Sequence, residues 1–312
     1  MMIFDGHADL LYDVTKWRQA GEDRVFERRH LPRLQAGQIG GLGLSIWTTV
    51  EQDSIWSAHP DWDGWRRTEE MMACAREELA ECPWLALVRT AAEARKAQAE
   101  GKLFAFLSVE GMEPVGDRLE RLEQYAQWGV RMGMLTWNEE NLLAGGDPDR
   151  GLTALGREAV RRMQRLNILP DVSHTSDRSF WDIMDLAEGP VIASHSNCRA
   201  LCDVRRNLTD EQLRAIRDTG GVVGVNVSTL YIRSPGSRRR LCWPVMPPTW
   251  RRSWDRNTLP AALTSASISA PAMRGARAWR TAVRLRISFL NWNGSAFQRQ
   301  SGRPSHRKIS CG

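Results

Sequence analysis

Short apolar runs alternate with stretches of helical period along residues 1–232. The runs Ile3–His7, Gly41–Thr48, Leu103–Val109, Val130–Thr136, Ile168–Ser173, Val191–Ser194 and Val222–Asn226 are bounded by Gly or polar residues and predict strands. Between them, Arg67–Cys82, Thr90–Ala99 and Thr153–Leu166 predict helices. Ser176–Leu186 opens on a Ser-Asp pair suited to an N-cap. Thr209-Asp210-Glu211-Gln212 fits a capping box, in which the Thr and Gln side chains satisfy each other's free backbone donors. Gly220-Gly221 then stops that helix. Strands alternating with helices predict an α/β fold with a parallel sheet. Seven of them make up most of a (β/α)8 TIM-like barrel, incomplete at its C-terminal end. An open doubly wound sheet is the alternative, but no GxGxxG follows the first strand.

The pattern breaks after Ile232. From Arg233 onward Trp, Pro, Ser and Arg are scattered, with no period that assigns an eighth strand and helix. Charge marks the same boundary. The whole chain carries a formal +6, yet residues 233–312 sum to +15 and residues 1–232 to −9. The expected organisation is a barrel over 1–232 and a basic, aberrant, poorly ordered tail over 233–312. No run of about 18 apolar residues offers a membrane span. The N-terminus enters a strand at once, without a basic start or an apolar signal core, so a cytoplasmic location is expected. Cys74, Cys82, Cys198, Cys202, Cys242 and Cys311 form no paired CxxC sites and read as reduced, small buried side chains.

Four phrases carry the chemistry: Gly6-His7-Ala8-Asp9, Ser108-Val109-Glu110-Gly111, Asp171-Val172-Ser173-His174 and Ala193-Ser194-His195-Ser196. Each closes an apolar run, at the strand ends where barrel active sites gather. Together they supply three imidazoles and two carboxylates, the inventory of a two-metal hydrolase rather than of one structural zinc. On a strand, His7 and Asp9 would share a face and chelate one ion. Glu110 ends a buried run, where a carboxylate is costly unless it meets a cation. Alone it reads equally as a helix cap or a surface ion pair. His174 and His195 end neighbouring strands. A lone His there would be a hydrogen-bonded core residue, whereas two beside HxD and Glu110 read as ligands. Asp171 is a candidate to orient an imidazole. Arg206, in Arg205-Arg206-Asn207, suits a substrate carboxylate or is a solvated loop charge. His30, His59 and His306 lack such surroundings and read as surface residues.

These phrases, with Leu135–Asn141 (LTWNEEN), RRN and Gly220–Asn226 followed by Tyr231, resemble the membrane (renal) dipeptidase family of zinc metallopeptidases over residues 1–232. The resemblance implies a distorted metal-dependent hydrolase barrel with two zinc ions that hydrolyses dipeptides. It implies His7 and Asp9 on one zinc, Glu110 as the bridge and catalytic carboxylate, and His174 and His195 on the second zinc. It implies Arg206 and Tyr231 on the bound dipeptide, and attack by a metal-bridging hydroxide. Manganese or cobalt would suit the same ligands. The oligomeric state stays open, a homodimer included.

Two departures stand out. Trp137 occupies a position where many members carry a His, and Trp cannot transfer a proton there. The family's last strand carries a Gly-Ser-Asp-Phe-like phrase that is missing. Ala261–Ser265, if encoded GCG GCT CTG ACT TCN and read from the third base, gives Gly-Ser-Asp-Phe. The tail therefore reads as a frameshift product. Two rival expectations follow: a catalytically inactive relative of the same fold, and a nucleic-acid binder acting through the basic tail, which shows no recognisable binding motif.

Overall fold

A computed structural model of the protein describes residues 3–50, 54–146 and 150–232 and the backbone of 263–265. In chain order these form β1 (Ile3–Ala8), α1 (Leu10–Gln19), α2 (Leu31–Ala36), β2 (Ile39–Ile46), α3 (Gly64–Glu81), β3 (Leu85–Leu87), α4 (Ala91–Ala99) and β4 (Leu103–Glu110). There follow α5 (Arg121–Trp128), β5 (Val130–Met134), α6 (Ala154–Arg165), β6 (Leu169–Pro170), α7 (Asp177–Leu186), α8 (Asp210–Asp218), β7 (Gly224–Asn226), α9 (Thr229–Ile232) and β8 (Leu263–Ser265).

All pairings between these strands are parallel. The main sheet runs β1-β2-β4-β5-β6, with β3 also on β4, and β7 pairs β8. Single parallel bridges, Asp171 to Ile192 and Ala193 to Val223, carry the curl from β6 across Val191–Ser194 to β7. The result is an α/β fold whose curled parallel sheet is consistent with a partial TIM-like barrel. Val191–Ser194, expected as a strand, contributes only these bridges. The expected tail of 233–312 lies outside the described residues, apart from the backbone of β8.

Strand β4 shows how the sheet sorts its side chains. Leu103, Ala105, Leu107 and Val109 enter the large core shared with the helices. The alternate residues Phe104 and Phe106 meet Phe4 of β1, with ring centroids 5.8–6.2 Å apart. Period-2 alternation then puts Ser108 and Glu110 on that second face, and Glu110 stands at the strand's carboxyl end. In β1 both Phe4 and His7 point to this face, which an odd spacing forbids in a regular strand. An irregularity of register between Asp5 and Ala8 resolves the parity.

Five of the helices open on side-chain caps, Asp63, Thr90, Thr153, Ser176 and Thr209, each accepting from a backbone N–H three residues on. The capping box at Thr209 and Gln212 is fully formed, at 3.2 and 2.8 Å. The buried carboxylate of Glu78 is stabilised by Arg18 and by the Val25 and Phe26 backbone N–H groups. Cys74, Cys82 and Cys202 are buried as expected. His30 is not a surface residue: it is buried, with Nε2 3.0 Å from Asp13 on the neighbouring helix.

Close approach of β1 and β2 depends on Gly43. A Cβ there would fall inside the contact radius of the Gly6 carbonyl oxygen, next to His7. Gly43→Ala is expected to lower stability by about 1–3 kcal/mol, measured by urea unfolding, because backbone must move to admit the methyl.

Candidate metal centre

The carboxyl end of β4 gathers the residues that the sequence singles out. Glu110 Oε2 lies 3.2 Å from His7 Nε2. Glu110 Oε1 lies 3.0 Å from His174 Nε2 and 3.4 Å from His195 Nε2. Asp9 Oδ1 is 3.1 Å from the same His7 nitrogen. The His174 and His195 Nε2 atoms are 2.9 Å apart, and the His7 and His195 rings stack at 3.9 Å. His7, Glu110 and His195 each offer a ligand atom within 4.8 Å of the others. His174 joins this group through Glu110 and His195, and the partly exposed Asp9 joins it through His7.

Asp9 arrives by a different route from the one expected. It sits in the turn after β1 with φ −80° and ψ 29°, immediately before α1, so the strand rule does not place it beside His7. The turn does. Asp171 also differs from expectation. Its Oδ1 accepts from the backbone N–H groups of Ser173 and Ser194 at 2.9 and 3.1 Å, so it ties together the two turns that carry His174 and His195. These bonds run to backbone and not to an imidazole.

The imidazoles are oriented by residues to which the sequence assigned no role. His174 Nδ1 lies 3.0 Å from Asn138 Oδ1, and His195 Nδ1 lies 2.8 Å from Ser194 Oγ. With Asn138 Oδ1 as acceptor, the His174 proton resides on Nδ1 and Nε2 keeps its lone pair toward Glu110. His174 also holds a left-handed backbone, φ 68°, with its carbonyl accepting from Thr136 Oγ1 at 3.2 Å. Such a conformation persists in a non-Gly residue only when its surroundings over-determine it.

Burial and mutual charge set the protonation of the cluster. Burial would raise the Glu110 carboxyl, but the His7 charge first, and the close approach of the His174 and His195 rings, hold it well below the usual range. Burial would lower His7, but Glu110 and Asp9 hold it well above its usual value. Burial, reinforced by the Glu110 charge, pushes Asp9 up. Burial and the nearby Arg206 bring His174 down to about 4, and burial with the His7 charge drives His195 well below its usual value. Two neutral imidazoles thus flank an ionised carboxylate.

Arg206 lies beside this cluster. Its two terminal nitrogens donate to Ser196 Oγ at 2.8 Å and to the His195 carbonyl at 3.0 Å, while its buried Nε has no hydrogen-bond partner. Burial lowers it to about 10, against the Glu110 charge. The Tyr231 ring stands 5.7 Å from the guanidinium carbon, in cation–π reach. Tyr231 is itself pinned, because Asn197 and Asn207 both donate to its carbonyl.

A divalent cation fits these side chains. Neither His7 ring nitrogen nor Asp9 Oδ1 makes a hydrogen bond of proper geometry, although all are buried and Nε2 crowds two carboxylates. Buried polar atoms that converge without bonding one another are aimed at a common guest. Hard and borderline N/O donors suit a divalent ion.

Buried imidazoles and carboxylates at the carboxyl ends of barrel-type strands define an enzyme site. The chain belongs to the membrane dipeptidase family, peptidase family M19, whose family model matches residues 1–270. It is a dipeptidase-type hydrolase of that family. It is 33% identical over 265 residues to a protein encoded in the PQQ-III 3′ region of Acinetobacter calcoaceticus, covering 76% of this chain and 83% of the relative. It is 42% identical over 146 residues to an uncharacterized dipeptidase of Schizosaccharomyces pombe, covering 45% of this chain and 35% of that one. A metallopeptidase from Rhodobacter sphaeroides, solved with a phosphinate mimic of the dipeptide L-Ala-D-Ala, superimposes with a TM-score of 0.67 at 28% identity, covering 75% of this chain and 76% of that one. A second solved metallopeptidase of family M19, a dipeptidase, gives a TM-score of 0.66 at 28% identity, covering 75% of each chain. Among the described residues no helix is long and apolar enough to cross a membrane.

Proposed function

We propose that this protein hydrolyses the amide bond of dipeptides at a pair of divalent cations, zinc by ligand type. His7 and Asp9 would hold one ion, His174 and His195 the other, and Glu110 would serve both. One observation carries the reading: three buried imidazoles converge on the two oxygens of a single buried carboxylate. Bound there, the ions would supply an activated water and polarise the scissile carbonyl. The chain's own residues do the rest. Glu110 stays ionised, while burial and the positive groups nearby keep His174 and His195 neutral against its charge. Asn138 and Ser194 fix those rings from behind. Arg206, braced by Ser196 and Tyr231, takes the substrate's terminal carboxylate through its planar fork.

Metal analysis of the full chain tests this directly. About two divalent ions per chain are expected. Chelation should abolish hydrolysis of Ala-Ala, and zinc, manganese or cobalt should restore it. Protein that holds no more than trace metal, or that hydrolyses no dipeptide with any of these ions, would overturn the proposal. A second reading has its own observation. Trp137, which cannot move a proton, stands 6.2 Å from the His174 ring. It favours an inactive relative, and full metal loading without turnover would select it. For residues 233–312 we keep the proposal of a shifted reading frame, and a single uninterrupted frame in the DNA would end it.

A further inference from the structure

We infer that Trp47 and Trp137 form an aromatic wall of the active-site cleft that selects dipeptides carrying a large apolar side chain. This rests on the dipeptidase reading and names its substrate class.

Three rings run in series along the carboxyl ends of the strands. Tyr12, in the first turn of α1, lies 5.4 Å from Trp47, which directly follows β2. Trp47 lies 5.3 Å from Trp137, three residues beyond β5, and Trp137 reaches the His174 ring at 6.2 Å. Tyr12 is partly exposed but packs on the main core, and its hydroxyl accepts from the Ile55 N–H at 2.9 Å. The tryptophans differ from it in core packing, not in exposure. Both stay partly exposed, and neither is among the described side chains packed on the hydrophobic core. Two large apolar rings left out of the core, beside a buried imidazole that faces Glu110, are placed to meet a ligand rather than to stabilise the fold.

Charged and apolar groups meet the centre through different residues. The charged partner, Arg206, is anchored on the His195 segment, and the tryptophans stand on the His174 side. A dipeptide with its carboxylate on Arg206 and its amide at Glu110 can lay an apolar side chain on the indoles. Burying several methylenes on such a surface discriminates about tenfold or more between side chains.

The test is steady-state kinetics of metal-loaded full-length protein on Ala-Ala, Ser-Ala, Leu-Ala, Phe-Ala and Ala-Phe. At least one aromatic or leucyl dipeptide should exceed Ala-Ala and Ser-Ala about tenfold in kcat/KM. Trp137→Ser should shrink that ratio to about twofold, and Trp137→Phe should keep most of it. Calorimetric binding of phosphinate mimics of the same dipeptides gives the ratio without turnover. Equal kcat/KM across the series in the unmodified protein, or a ratio untouched by Trp137→Ser, would overturn the inference. If no dipeptide is hydrolysed but the mimics still bind with the expected ratio, the wall stands and the hydrolytic reading fails. If the mimics bind without preference, the wall fails.

Discussion

Glu110→Gln is expected to lower kcat/KM for dipeptides by about 10³-fold or more, with a parallel fall in bound metal. Glutamine keeps the length and shape of the side chain and removes the charge. Glu110 is the carboxylate that all three imidazoles face, at 3.0–3.4 Å. Without it His7 loses the stronger of its two anionic partners, and His174 and His195 lose the carboxylate they share. Loss of a positioned carboxylate costs about 10²–10⁴-fold where it handles protons alone, and on the proposed reading Glu110 would also hold the cations. Kinetics and metal content measured on the same sample check both effects. Activity within tenfold of the parent would remove Glu110 from the centre of the mechanism.

Arg206→Met is expected to raise KM about 30- to 1000-fold, equivalent to about 2–4 kcal/mol of binding. The side chain keeps its bulk against Tyr231 and loses the fork that reads a carboxylate. A dipeptide amide separates binding from architecture. The parent should strongly prefer the free acid over the amide, and the variant should treat the two alike. A variant that keeps the preference would assign the carboxylate to another group. Arg206→Lys should recover part of the affinity, because an ammonium supplies charge without two-point geometry.

Much of this centre was legible in the chain because each ligand ends its own apolar run. His7, Glu110, His174 and His195 needed only the rule that barrel chemistry collects at the carboxyl ends of strands. Arg206 was legible as a neighbour of those phrases, and Tyr231 only through the family resemblance. Asp9 was found for an incomplete reason, since a turn and not a strand brings it to His7. Asn138 and Ser194 escaped because the choice of a ring tautomer depends on what faces the far nitrogen, and that partner for His174 is 36 residues away in sequence. The pairing of Trp47 with Trp137 was likewise invisible, being a contact between two strand ends. Elements escaped by length or by lack of a boundary. β3 has three residues, and α1 starts directly after Asp9 with no loop to announce it. His30 looked peripheral because nothing local marks Asp13 as its partner.

The ligands come from opposite ends of this span: His7 from the first strand and His195 from a turn nearly two hundred residues later, with their rings stacked. If these residues hold metal as proposed, a nascent chain emerges with only part of its chelate. Until the His195 turn has left the ribosome, His7, Asp9 and Glu110 can hold an ion only with fewer ligands than the finished site provides. On the proposed reading, tight metal capture waits until the His195 turn has been made, and the choice of ion falls to what is available from then on.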